Sequence, residues 1–252
     1  MTTPSDPLTG RPAATLPVLA ARLGSWRLNL EREPLDRAGL AARYDAAAPG
    51  WPAALARHDM PGAYEALLHD ALDGLATPDP ITALDCGIGT GALSLALARA
   101  APGVVVDGID LSPGMLRAAE AALTADGVPV QARLGDLTAL PFAPARFDLT
   151  MAAHAVEHLP DPRTALREMV RVTRPGGRVV VCATRSTLRG FLIQLGWRTH
   201  RIAPSTLNRW MREAGLVRVR RLSAGSRRFD ALSSAWVGMV PESETRGCGF
   251  ED

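Results

Sequence analysis

Hydrophobic positions along the chain fall into two textures. Before residue 80 they recur mainly at helical spacing. Leu16, Leu19, Leu23, Trp26 and Leu30 share one helical face, which predicts a helix over 16–30. Residues 36–48 and 63–75 also read as helices. Tyr64, Leu67, Leu68, Ala71 and Leu75 carry the second, and Pro61-Gly62 breaks the chain between them. From residue 81 short apolar runs alternate with helical segments. ITALDC is a strand that ends in a glycine cluster, followed by the helical ALSLALARA. VVVDGID, VPVQARL, FDLTMAA and RVVVCAT supply four further strands. Ser112-Pro113 opens a helix with a capping hydroxyl and a proline at its first position. Residues 162–173 form another helix, stopped by Pro175-Gly176-Gly177. Strand and helix in alternation mean βαβ units and a parallel sheet.

After Thr184 the alternation lapses. GFLIQLGW (190–197) is apolar and sits between arginines, and residues 204–214 read as a helix ending at Gly215. LVRVRRL and ALSSAWVGMV are then two strand candidates with no helix expected between them, which predicts an antiparallel pair closing the sheet. The expected fold is a doubly wound, Rossmann-like α/β sheet of seven strands, with an antiparallel last strand and an N-terminal helical cap. The expected organisation is a disordered tail at 1–15, the cap at 16–78 and the α/β domain at 79–241. A substrate-side insert falls at about 185–203 within that domain, and a second tail covers 242–252.

Composition narrows the class. The chain has 252 residues, 47% hydrophobic and 21% charged, which excludes a disordered chain, a coiled coil and a collagen-like fibre. Cys86, Cys182 and Cys248 have no metal-ligand spacing, so no metal is expected, and an odd, sparse set argues against a secreted disulfide scaffold. No apolar run reaches bilayer length and no basic head precedes an apolar stretch at the start, so a cytoplasmic protein is expected. All basic residues are arginine. Eleven lie between Arg185 and Arg228 against one acid, Glu213, giving this stretch about +10. At 5% aromatic residues, with no recognisable module, specific nucleic-acid binding is not expected.

The sharpest chemical signal is Asp85-Cys86-Gly87-Ile88-Gly89-Thr90-Gly91 between a strand and a helix. Gly87, Gly89 and Gly91 let the backbone turn tightly and approach a ligand with no Cβ in the way. The helix behind them offers unpaired N–H groups. Asp110 ends the next strand, 19 residues after Gly91, where a carboxylate can accept both hydroxyls of a ribose. Together these indicate a nucleoside-containing cofactor. Gly87, Gly89 and Ala92 also satisfy the loose dinucleotide pattern, so the nucleoside stays open on these residues alone. Asp85 can bind an ammonium or a water beside the glycines. Asp136, in Gly135-Asp136-Leu137, can take a base amino group. The fourth strand ends in His154-Ala155-Val156-Glu157-His158-Leu159-Pro160-Asp161-Pro162.

With these features together, the sequence resembles the class I S-adenosylmethionine-dependent methyltransferases, most closely the small-molecule branch that includes the quinone and sterol methyltransferases. LDCGIGTG resembles the family's first motif, GIDLSPGMLRAA its second and LGDLTALPF its adenine motif. FDLTMAAHAVEHLPDPRTALREMVRVTRPGG resembles the strand–loop–helix that follows. RYDAAAPGW (43–51) resembles the family's short pre-domain segment, with Trp51 where a tyrosine is more usual. The resemblance implies S-adenosyl-L-methionine as cofactor and in-line methyl transfer to O, N or C of a small molecule. It implies that Asp110 binds the ribose and that Asp136 and Leu137 meet the adenine, with Leu111 and Met115 on the ring faces. It also implies that Tyr44 and Trp51 close the pocket near the sulfonium and that His154 faces the acceptor as a candidate base. Glu157 and His158 read as turn-capping groups, and Asp148 as closing a turn.

The arginine-rich stretch then suggests an anionic or amphiphilic acceptor. A basic helix at 16–30 suggests peripheral membrane contact. Two alternatives remain at this point. One is a nicotinamide-dependent oxidoreductase on a similar sheet, and the other is a non-catalytic partner that retains the coenzyme pocket.

Overall fold

The computed structural model describes residues 16–75, 80–185 and 187–242. The tails expected at 1–15 and from 243 onward lie outside the described residues, as do 76–79 at the expected cap boundary.

The chain enters through a hairpin of β1 (Leu16–Leu23) and β2 (Trp26–Arg32), not through a helix. This corrects the reading of 16–30. Leu23 pairs with Trp26 across Gly24-Ser25, and Gly24 sits at φ 60°, the left-handed region that tight two-residue hairpin turns require. Trp26, Leu28 and Leu30 also fit a period of two, and the turn chemistry decides between the two periods. With the helix goes the amphipathic surface it was to supply. Trp26 is 80% exposed and Leu28 61%.

Three helices follow, α1 (Arg37–Ala47), α2 (Trp51–Arg57) and α3 (Met60–Leu72). α1 and α3 answer to the two expected, and α2 was not expected. Pro61-Gly62 lies in the first turn of α3, where a proline is tolerated, instead of breaking the chain. α1 is capped by Asp36, whose carboxylate accepts the Gly39 N–H. α3 buries Met60, Ala63, Tyr64, Leu67, Leu68 and Ala71, one face of a 3.6-residue repeat, against the sheet domain.

The sheet alternates β3 (Thr82–Cys86), α4 (Ala92–Ala100), β4 (Val105–Asp110), α5 (Pro113–Ala125), β5 (Val130–Leu134) and β6 (Phe147–Ala153). α6 (Pro162–Val172) leads into β7 (Thr173–Thr184), then come α7 (Leu188–Trp197), α8 (Pro204–Glu213), β8 (Val217–Leu222), α9 (Arg227–Leu232) and β9 (Ser233–Met239). The seven strands lie in the order β5-β4-β3-β6-β7-β9-β8. β9 runs antiparallel between β7 and β8, as the consecutive strand pattern implied. The short α9 between them was not expected.

The order reverses between β3 and β6, both parallel in the sheet, and a crevice opens above their carboxyl ends at such a switch point. Register fixes which residues border it. Cys86 lies beside Ile109, Asp110 beside Leu134 and Ala153 beside Cys182. Apolar clusters fill both faces below, one between α3, α4, α5 and the sheet, the other between α6, α8 and the sheet. Asp148 lies inside β6 instead of closing a turn. It is buried, accepts the Thr82 N–H and Oγ1–H at 2.8 Å each, and pairs with Arg174, bracing β3 and β7 at the bottom of the sheet.

Candidate active site

The loop after β3 turns on three left-handed glycines, Gly87 (φ 79°), Gly89 (φ 54°) and Gly91 (φ 82°). A Cβ on Gly87 would meet the Ala155 Cβ at 2.5 Å, so the loop lies hard against the chain that leaves β6. Asp110 ends β4 and holds the loop open from the other side. Its Oδ2 accepts the Gly89 N–H at 2.9 Å and its Oδ1 the Ser112 N–H at 2.9 Å. A carboxylate offers about four lone-pair positions, so about two remain for a ligand. Burial raises its pKa above the ordinary aspartate range.

Asp85 lies beneath the loop, 1% exposed, and accepts the Ser94 hydroxyl at 2.7 Å. Burial pushes its pKa up to about 7, with the Ser94 bond working against the shift and Asp110 adding to it. Cys86 and Cys182 are free, buried thiols whose pKa values burial raises, as small apolar fillers would be.

After β5, Asp136 accepts the Thr138 N–H (2.9 Å) and hydroxyl (2.6 Å) and pairs with Arg37 of α1. Arg37, Ala38, Ala41, Leu111, Leu134, Gly135 and Asp136 line an open cleft of about 330 Å³. Leu111 therefore borders the cleft, while Met115 is fully buried under it, its N–H donating to the capping Ser112 Oγ. Leu137 is buried in the second apolar cluster.

The N-terminal helices cover this side. Asp45 of α1 accepts the Ser112 hydroxyl and the Gly114 N–H at 2.6 Å each, clipping α1 onto the start of α5. Those bonds, the hydroxyl first, hold the Asp45 carboxyl below its usual range. Tyr44, next to it, is driven inward. Its ring stacks on Trp197 of α7 (centroids 4.7 Å apart) and meets Trp51 edge-on at 5.5 Å. Its hydroxyl bonds His158 Nε2 at 2.7 Å. Burial raises the Tyr44 pKa and lowers that of His158 to about 4, so both are neutral at pH 7. Tyr44 and Trp51 are thus brought together as expected. Trp197 and His158 join them through contacts between segments more than 100 residues apart, a signal no local pattern carries.

At the end of β6, His154 adopts φ 56°, an uncommon conformation for a non-glycine residue. Its Nδ1 lies 3.1 Å from Thr184 Oγ1 and its Nε2 3.3 Å from Ser233 Oγ, so both ring nitrogens are engaged. Glu157 holds the turn from inside the fold. It is 3% exposed, accepting the Thr184 N–H at 2.8 Å and hydroxyl at 2.6 Å, which pins the end of β7 to the turn after β6. Burial alone would raise its pKa. His154 and the Thr184 hydroxyl outweigh that and bring it below the usual range.

Residues 84–181 match a family model described as a methyltransferase domain. This α/β domain belongs to the S-adenosylmethionine-dependent methyltransferases. Among its relatives, the ubiquinone biosynthesis O-methyltransferase of Methylobacterium sp. (strain 4-46) is 34% identical over 166 residues, 59% of this chain and 66% of the relative. The demethylmenaquinone methyltransferase of Thermus thermophilus is 40% identical over 111 residues, 44% of this chain and 50% of the relative. The chain thus spans about half to two thirds of the length of these curated relatives. A chain in the complex between the Haloferax volcanii Trm112 methyltransferase activator and its methyltransferase superposes with a TM-score of 0.63 at 22% identity, over 79% of this chain and 98% of the other. The fold is shared with that methyltransferase. Among the described residues no group of His, Cys, Asp and Glu could hold a metal, and no helix is long and apolar enough to cross a membrane.

Proposed function

We propose that this methyltransferase binds S-adenosylmethionine across the carboxyl ends of β3, β4 and β5 and transfers the methyl to a small-molecule acceptor. The observation that carries the reading is Asp110. Its two oxygens are aimed by the Gly89 and Ser112 N–H groups and keep about two lone pairs for the ribose hydroxyls, beside a glycine loop that leaves no room for a Cβ at Gly87. The fit extends along the crevice. Asp85 faces the amino-acid end, Asp136 has about one lone pair left for the adenine amino group, and Leu111 supplies apolar area beside the ring, with Met115, fully buried, packed behind it instead of on the ring face as expected.

When bound, the coenzyme supplies a methyl activated on a sulfonium, which moves by in-line displacement. The protein's part is alignment and exclusion of water. Tyr44, Trp51 and Trp197 form the apolar cover for that step, and neutral aromatic faces attract a desolvated cation by roughly 0.5–2 kcal/mol. The engagement of both ring nitrogens of His154 favours a role in holding the strand ends over proton transfer.

The acceptor is read as anionic or amphiphilic, though the arginines of 185–228 do not all support it. Arg220 pairs with Asp70, Arg221 with Asp230 and Arg209 with Glu213, and β8 is the far edge of the sheet. What supports the reading is the part nearest the site, Arg198 beside Trp197. A cytoplasmic setting and peripheral membrane contact belong to the same proposal. The free thiols of Cys86 and Cys182 support the first, and exposed Trp26 and Leu28 are the one feature left for the second.

A thermal-shift panel tests the function. S-adenosylmethionine and its demethylated product are expected to raise the melting temperature and NAD(P) to leave it unchanged. Stabilisation by a nicotinamide nucleotide alone would overturn the proposal. Coenzyme binding with no turnover across an acceptor panel would leave a non-catalytic binder.

A further inference from the structure

Among the described residues five buried side-chain polar atoms have no hydrogen-bond partner: Gln194 Oε1, Arg198 Nε, Thr199 Oγ1, His200 Nε2 and Trp236 Nε1. Four of the five fall within the seven residues from Gln194 to His200. Each such group costs about 1–3 kcal/mol, and native proteins carry only a few per hundred residues. Four in one turn is a concentration that folding does not reward. The rest of the site is paired: Asp45, Asp85, Asp110, Asp136 and Glu157 all accept hydrogen bonds.

The turn stands above the reaction crevice. The His200 N–H donates to the Glu157 carbonyl at 2.8 Å and Gln194 Nε2 to the Thr184 carbonyl at 3.1 Å, so its frame is tied to the carboxyl ends of β6 and β7. Trp197, one residue before Arg198, stacks on Tyr44 over the methyl-transfer region. Arg198 itself turns the chain at φ 53°. Arg43 places its guanidinium 4.9 Å from the Trp197 ring centroid. Neither Arg43 nor Arg198 has a carboxylate at ion-pair distance among the described residues, whereas Arg163, Arg171 and Arg220 each have one.

We infer that the turn from Gln194 to His200 is the acceptor-recognition wall, and that it takes a small flat molecule bearing an ionised oxygen, either a carboxylate or an acidic phenol. The inference rests on the methyl-transfer reading of the crevice. Arg198 Nε–H and the Thr199 hydroxyl are donors, and His200 donates from Nε2 in one tautomer, a set that matches the lone pairs of an anionic oxygen. Gln194 Oε1 can only accept and suits a neighbouring hydroxyl on the same molecule. Trp197 and Trp51 supply the flat apolar wall beside them. Burial lowers the His200 pKa, so its ring is neutral at pH 7 and the positive charge at the turn comes from arginine. A site built to hydrogen-bond its ligand rejects an analogue that leaves these groups unpaired.

The test is calorimetric titration of the full chain, saturated with demethylated coenzyme, using four one-ring probes: 4-hydroxybenzoate, 4-nitrophenol at pH 8, 4-hydroxybenzamide and tyramine. At least one anionic probe is expected to bind about tenfold or more tighter than the amide, with tyramine weakest, and the better anion tells carboxylate from phenol. Thr199→Val and Arg198→Met are each expected to remove that preference while coenzyme affinity stays within a factor of about two. Thr199→Val should also melt no lower than the wild type, because it deletes a hydroxyl that has no partner. Equal binding of the amide, preference for tyramine, no binding of either anion, or a marked loss of stability in Thr199→Val would each overturn the inference. Failure of the wild type to bind the coenzyme would instead overturn the reading beneath it.

Discussion

The two sides of the crevice are built by different means. On the coenzyme side Asp85, Asp110 and Asp136 are each oriented by hydrogen bonds from residues within about two turns of chain or from the facing loop, and the glycines between them take conformations that only glycine adopts cheaply. On the acceptor side the walls come from α1, the turn after β6 and the end of α7, joined by ring stacking, the Tyr44–His158 hydrogen bond and the bonds from the His200 N–H to the Glu157 carbonyl and from Gln194 Nε2 to the Thr184 carbonyl. That side also carries four unpartnered polar atoms. A cradle whose carboxylates are each aimed by short-range hydrogen bonds suits a ligand common to a whole family. A wall with spare hydrogen-bonding capacity suits a ligand that differs from member to member.

The comparison breaks most severely at Gly87. Gly87→Ala introduces a side chain at φ 79° and drives its Cβ to 2.5 Å from that of Ala155, with an expected loss of about 2–4 kcal/mol of stability and of most coenzyme affinity. The double variant with Ala155→Gly should recover the packing share in a denaturant melt and leave the backbone share. No recovery would mean the loop is not held by that contact.

Next in size is a pH effect at Asp85. Its folded pKa of about 7 lies above the unfolded value of about 3.9, so the folded state holds the extra proton. The Asp85 contribution to the stability of the free protein should therefore fall as pH rises from about 4 to 7 and level off above. It is read as the difference between wild type and Asp85→Asn, because His158, with its pKa lowered to about 4, contributes the opposite slope over much of that range. A coenzyme ammonium beside Asp85 favours the carboxylate, so binding at pH 6 should release up to about one proton, read from calorimetry in buffers of different ionisation enthalpy. Asp85→Asn should bind more weakly and release none. Proton uptake by the wild type would contradict the placement.

Asp136→Asn is expected to cost about 1 kcal/mol of coenzyme binding and to shrink the preference for adenine over inosine analogues. An unchanged ratio would move base recognition elsewhere. On the acceptor side Tyr44→Phe removes the bond to His158 but keeps the ring, so coenzyme affinity should change by less than about 1 kcal/mol. Hydrogen exchange over residues 36–60 should slow when coenzyme binds. Exchange indifferent to the coenzyme would count against α1 and α2 as a cover.

Legibility in the sequence follows the same division. The strands, the Ser112 cap, the glycine loop and the three aspartates were readable because each depends on neighbours in the chain or on fixed βα spacing. The hairpin at 16–32 was misread because Leu16, Leu19, Leu23, Trp26 and Leu30 satisfy a helical period while Trp26, Leu28 and Leu30 satisfy a strand period, and Gly24-Ser25 settles it. Glu157 reads as a turn-capping group, but that it does so from a buried position is not legible, because nothing local shows that Thr184 will cover it. The junction of Trp197 with Tyr44, and the unpaired groups beyond it, exist only once the last third of the chain folds back over the first. His154 was placed correctly at the strand end, but its engagement by Thr184 and Ser233 depends on β7 and β9.

The central claim is that the crevice above β3 and β4 holds S-adenosylmethionine through Asp110. Calorimetric titration of the demethylated coenzyme into wild type and Asp110→Ala tests it most directly. Each charged hydrogen bond lost is worth about 1.5–3 kcal/mol, so the variant should bind at least about tenfold more weakly while circular dichroism shows the sheet intact. An unchanged dissociation constant in a folded Asp110→Ala protein would contradict the account.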